Sequence, residues 1–178
     1  MISKRLAHIV SILFHPLLMP TLGLAIALLV NSYISMLPYE AKRLIAIVVV
    51  INTFALPVLM IPLFYRFGII KSIQMHESKE RIIPMSFTLI PYLFTVYFRN
   101  KLPLPSTVAA FILGASIAIM LALFISIFWK VSIHMIGIGG LIGFVISLSH
   151  IFYTDVLYII IVAFAISGIV AWSRLTLN

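Results

Sequence analysis

Lys130, Ser132 and His134 fall within five positions of one another, in the segment Trp129-Lys130-Val131-Ser132-Ile133-His134 between two long apolar runs. Titratable groups beside hydrocarbon are costly and are kept for a reason. Lys79, Arg81 and Arg174 also stand at the edges of apolar runs. Arginine and lysine hold phosphate oxygens, by forked and point-charge contacts respectively. The same cations stabilise charge on a phosphoryl group in transfer. A histidine near neutral pKa protonates a leaving oxygen or attacks phosphorus itself, and a serine hydroxyl donates to a phosphate oxygen. The residue types therefore point to phosphate chemistry, with His134 as the catalytic group. Lys79, Arg81, Lys130, Ser132 and Arg174 are the candidate phosphate ligands.

Other chemistries lack their residues. There are no cysteines, so neither thiolate nucleophiles nor thiolate metal sites are available. His76-Glu77 is too small a grouping for a metal, and neither a metal nor another cofactor is expected. Twelve basic against 4 acidic residues give a net charge of +8, yet no long basic run supports nucleic-acid binding. The excess fits anionic headgroups or an anionic substrate.

Those residues need elements to carry them. Of 178 residues, 63% are hydrophobic and 9% charged, with a mean hydropathy of +1.25. A soluble domain cannot hide that much apolar surface. The expected class is all-α: an integral membrane helix bundle of about six transmembrane helices, forming a single transmembrane domain over residues 1–178. The spans read as 16–33 with an amphipathic lead-in at 6–14, then 44–64, 82–98, 106–128, 134–149 and 156–172. Pro57, Pro62 and Pro91 mark kinks. Lys4 and Arg5 precede the first apolar run as in a signal peptide, but His15-Pro16 interrupts it and no small-residue cleavage site follows. It reads as an uncleaved span. Gly137, Gly139, Gly140 and Gly143 suit close helix packing.

Six spans put Arg81, Lys130, His134 and Arg174 on one membrane face, that of the N-terminus. Eight Lys and Arg lie on that face and four on the other. Setting aside Lys79, Arg81, Lys130 and Arg174 leaves the two faces equal, so the positive-inside rule does not choose a side. The expected location is the bacterial inner (plasma) membrane.

Ser132-Ile133-His134 followed by Ser173-Arg174 resembles the type-2 phosphatidic acid phosphatase superfamily, metal-independent lipid phosphatases of the membrane. That family's pattern is a Lys seven residues before an Arg-Pro pair, then Pro-Ser-Gly-His, then Ser-Arg with a His six and an Asp ten residues beyond the Arg. The resemblance implies that Arg81 is the first-motif arginine, although Pro84 stands three residues on and Gln74 occupies the lysine position, with Lys79 or Lys71 as substitutes. Ser132 and His134 match the second motif, with Val131 and Ile133 in place of its Pro and Gly. It implies that the arginines bind phosphate, that His134 protonates the leaving alcohol, and that a third-motif histidine is the nucleophile forming a phosphohistidine. That histidine falls two positions past Asn178. The expectation is a truncated chain lacking a final helix, with hydrolysis impaired in this form. The implied partners are membrane lipids and a phosphorylated lipid substrate such as phosphatidate, phosphatidylglycerol phosphate or a polyprenyl diphosphate.

Blander readings stand beside this one. Lys130, His134 and Arg174 suit interfacial anchors, Lys79-Glu80-Arg81 a solvated charge run, and His8, His15 and His150 the headgroup region. Trp129 and Trp172 suit an aromatic belt. A non-catalytic lipid-binding subunit or small transporter is the main alternative. A transporter calls for ionisable residues at mid-span, where this chain offers Asn52, Thr53 and serines. A prenyltransferase needs aspartate-rich magnesium sites, and the four acidic residues form none.

Overall fold

The computed structural model describes residues 2–30, 32–70, 78–102 and 104–177, and all regular structure among them is helical. Five helical stretches are long and apolar enough to cross a membrane: Ser3–Val30, Tyr39–Arg66, Ser106–Phe128, Ile133–Phe152 and Leu157–Leu177. The protein is an all-α integral membrane protein. Its chain divides into two units, residues 1–37 with 132–178, and residues 38–131.

The first unit holds α1 (Ile2–Leu13), α2 (Met19–Val30), the single turn α3 (Ser32–Ser35), and the long pair α8 (Ile133–Phe152) and α9 (Leu157–Leu177). The expected lead-in corresponds to α1, and a break at Phe14 and His15 divides the apolar stretch Ser3–Val30 between α1 and α2. The break has a local cause. Pro16 opens a 3-10 turn over Pro16–Leu18, and the His15 ring caps it, accepting the Leu17 N–H at Nδ1 over 3.3 Å. Helix α1 packs on α9 through Ala7 and Ser11, one turn apart and both buried. Small side chains let two backbones approach, and Ser173 Oγ then donates to the Ala7 carbonyl at 2.7 Å.

Helix α8 packs on α2 and on the Pro16 turn. A Cβ on Gly137 would lie 3.1 Å from Pro16 Cα and Cβ and from Met19 Cγ. At Gly139, Gly140 and Gly143 a Cβ would meet no described atom within 4 Å, so the close-packing role expected of all four glycines is met in this chain by Gly137. Tyr153, in the left-handed region at φ 51°, ends α8. Asp155 then accepts the Leu157 N–H at 3.0 Å, starting α9 back along α8.

The second unit holds α4 (Tyr39–Val50), α5 (Leu56–Arg66), α6 (Ser78–Tyr97) and α7 (Ser106–Phe128). Helices α4 and α5 are continuous through a widened turn, Ile51–Ala55, where the Leu56 N–H reaches back five residues to Ile51. Pro57 explains the widening. It has no N–H to give the Thr53 carbonyl. Tyr92 of α6, 2% exposed, supplies the missing donor, its hydroxyl bonding that carbonyl at 3.3 Å. The expected span 82–98 falls in α6 up to Tyr97, and α6 starts earlier, taking Lys79, Glu80 and Arg81 into its first turn. Those charges, with two prolines and several hydroxyls, keep α6 out of the group apolar enough to span.

Candidate functional site

The hairpin of α8 and α9 sets the level of the site. His134 is eighteen residues before the last residue of α8, and Arg174 is seventeen after the first of α9. At about 1.5 Å per residue the two arms are nearly equal, so the chain brings Arg174 back beside the start of α8. Helix α1, pinned to α9 by Ser173, then places Ser11 between them. Arg174 Nη1 donates to Ser11 Oγ at 3.1 Å, and the same Oγ lies 3.1 Å from His134 Nε2. The Ser11 carbonyl is also 3.1 Å from Nε2. The His15 ring meets that of His134 edge-on, with centroids 5.6 Å apart. Ser11, His15, His134 and Arg174 thus form one cluster, built from α1, α8 and α9 and the turn before α2.

Ser132 is the residue before α8, and its side chain makes no capping bond to the helix. Its Oγ is buried and has no hydrogen-bond partner among the described residues. A helix start leaves amide N–H groups without intrahelical partners and favours an anion there. Ser132 adds an unused hydroxyl at that start.

The charge balance is one-sided. Among the described residues Arg174 has no carboxylate partner; its hydrogen bond goes to a neutral hydroxyl. Within this unit the acidic residue is Asp155, at the opposite end of the hairpin, where it is committed to α9. Arg174 and the rings of His134 and His15 lie instead at the C-terminal end of α1, where the helix dipole is negative. A guanidinium has five N–H donors in a planar fork, and Ser11 takes one. The remaining donors, the Ser132 hydroxyl and the start of α8 are the groups of this unit whose chemistry suits an anion with several oxygens. No three His, Asp or Glu side chains among the described residues group as metal ligands.

Of the residues expected from sequence, His134, Ser132 and Arg174 lie in this unit. Arg81, half-buried in the first turn of α6, and Lys130, exposed after α7, belong to the other unit. Lys79 shares that first turn, with its side chain outside the described residues, where Lys71, Gln74, His76 and Glu77 also fall. Ser11 and His15 were not expected. The signal for them is a polar stripe, Lys4, His8, Ser11 and His15, spaced four, three and four residues along one helical face. His15 does not have the form of an attacking histidine: when neutral, its bare nitrogen is Nδ1, which the Leu17 N–H already occupies.

No family model, curated protein or solved structure matches this chain. The geometry stands alone.

Proposed function

We propose that the protein handles the phosphate of a membrane lipid, as a relative of the type-2 phosphatidic acid phosphatases. The observation that carries this is Arg174, half-buried at the end of a spanning helix, bonded to a neutral hydroxyl and one serine away from the imidazole of His134. A guanidinium with no carboxylate partner among the described residues, beside an imidazole and a helix start, suits an incoming oxyanion better than it suits helix packing.

In this reading Arg174 and Ser132 bind phosphate oxygens, and His134 gives a proton to the leaving alcohol of the lipid ester or diphosphate. The phosphate-ligand expectation for Lys79 and Arg81 rests on the sequence resemblance and that for Lys130 on its residue type; all three belong to the other unit. In that resemblance the attacking group is a third-motif histidine. The substrate class is a lipid monophosphate or a polyprenyl diphosphate, with its tails in the bilayer. Helical spans fit the inner (plasma) membrane of a bacterium, since outer-membrane proteins span as barrels.

The test is phosphate release from phosphatidate, phosphatidylglycerol phosphate and a polyprenyl diphosphate by the full chain in detergent. His134→Ala is expected to slow that release by about 10²- to 10⁴-fold. An unchanged rate removes His134 from the proton-donor role.

A further inference from the structure

The turn between α8 and α9 holds a tyrosine in a conformation that suits glycine. Tyr153, the residue after α8, has φ 51° and ψ 36°. A Cβ crowds the backbone in that left-handed region, so a helix that ends this way usually does so on glycine or asparagine. The rest of the turn holds Tyr153 there. Ser149 Oγ donates to the Thr154 carbonyl at 2.7 Å, and Thr154 Oγ1 to the Phe152 carbonyl at 3.3 Å. Asp155 accepts the Leu157 N–H at 3.0 Å. A sparsely populated backbone conformation persists when its surroundings fix it in this way.

The Tyr153 ring takes no part in those bonds. The residue is 96% exposed, so the described residues leave the ring uncovered. A bulky side chain thus sits where it strains the backbone, and no packing within the chain offsets that strain. What offsets it lies outside the chain.

The place of the turn says what that is. Helices α8 and α9 have 20 and 21 residues, and both are apolar enough to span. At about 1.5 Å per residue each matches the roughly 30 Å of hydrocarbon in a bilayer, so the turn joining them lies at the membrane surface. Its exposed neighbours are mixed as that level demands: Ile151, Leu157 and Tyr158 are large and apolar, while His150 and Asp155 are polar. A tyrosine has an apolar ring with a polar tip, and such residues gather where hydrocarbon meets headgroups.

We propose that the α8–α9 turn is a lipid-docking element, with the Tyr153 ring seated at the boundary between hydrocarbon and headgroups. The partner is the phospholipid of the leaflet at that end of the hairpin. The contact is separate from the phosphate-handling reading, because His134 and Arg174 stand at the other end of the same two helices.

The test places a reporter at the position itself. Tyr153→Trp, combined with Trp129→Phe and Trp172→Phe, leaves the full chain with a single tryptophan. In phosphatidylcholine vesicles its fluorescence is expected to be quenched most by nitroxides on the headgroup or the upper acyl chain. Quenching mainly by iodide puts the ring in water, and quenching mainly by a chain-end nitroxide puts it in hydrocarbon. Protection from every quencher means that protein covers it. Any of these three results overturns the proposal. A second measurement asks whether the contact stabilises the fold. Relative to wild type, Tyr153→Gly is expected to melt lower in lipid nanodiscs than in a headgroup-free amphipathic polymer, by about 2–4 °C. The same effect of Tyr153→Gly in both media overturns the anchoring role.

Discussion

Arg174 and His134, forty residues apart in sequence, both lie 3.1 Å from a single oxygen, the hydroxyl of Ser11. Among the described residues Arg174 has no carboxylate partner. Three helices meet at that oxygen, and each has a separate reason for being there. Gly137 lets α8 approach the Pro16 turn, Ser173 holds α1 on α9, and the equal arms of the hairpin return Arg174 to the start of α8.

A general acid matters in proportion to how poor the leaving group is. His134→Ala should slow release from a lipid monophosphate, whose alkoxide needs a proton, by about 10²- to 10⁴-fold. Release from p-nitrophenyl phosphate, whose phenolate leaves unprotonated, should fall far less. Phosphate-release assays with the two substrates side by side measure the ratio. Equal losses on both would assign His134 to binding or folding and not to acid catalysis.

Gly137 is the close contact behind the site. Gly137→Ala puts a methyl 3.1 Å from Pro16 and Met19 and should lower stability by about 1–3 kcal/mol through overpacking. Gly139→Ala and Gly143→Ala, with open space around them, should be neutral or stabilising by about 0.5–1 kcal/mol, since alanine favours helix. Thermal unfolding in detergent separates the three. Equal effects would mean that the contact at Gly137 is not limiting.

The Tyr92 hydroxyl replaces the N–H that Pro57 lacks. Tyr92→Phe should cost about 1 kcal/mol by leaving the buried Thr53 carbonyl without its donor. In a Pro57→Ala background, where residue 57 has an N–H of its own, that cost should shrink towards zero. The double-mutant cycle from equilibrium unfolding reads the coupling, and additive costs would show that the two groups do not serve the same carbonyl.

The spans were legible because apolar runs of about twenty residues admit few other readings. Helix ends moved by several residues where polar side chains extend a helix beyond its apolar run, as Lys79-Glu80-Arg81 do at the start of α6. His134 and Arg174 could be named from their residue types and their places at span edges. Ser11 and His15 could not. The stripe from Lys4 to His15 has the periodicity of any interfacial helix, and nothing local marks one serine in it as a bridge. That role arises from the break at His15-Pro16, which leaves the Ser11 carbonyl without its helical donor, and from contacts across more than 120 positions of sequence. The four glycines of α8 likewise share one spacing, and only the neighbouring turn distinguishes Gly137.

Lipid selectivity is the most direct measurement of the central claim, that Arg174 and its neighbours receive a lipid phosphate. Native mass spectrometry of the full chain can compare retention of phosphatidate with that of phosphatidylcholine carrying the same acyl chains. The wild-type protein should prefer phosphatidate, and Arg174→Ala should weaken that preference by about tenfold or more, the loss of a charge-assisted bond of about 1.5–3 kcal/mol. Equal retention of the two lipids, or a preference that survives Arg174→Ala unchanged, would contradict the account.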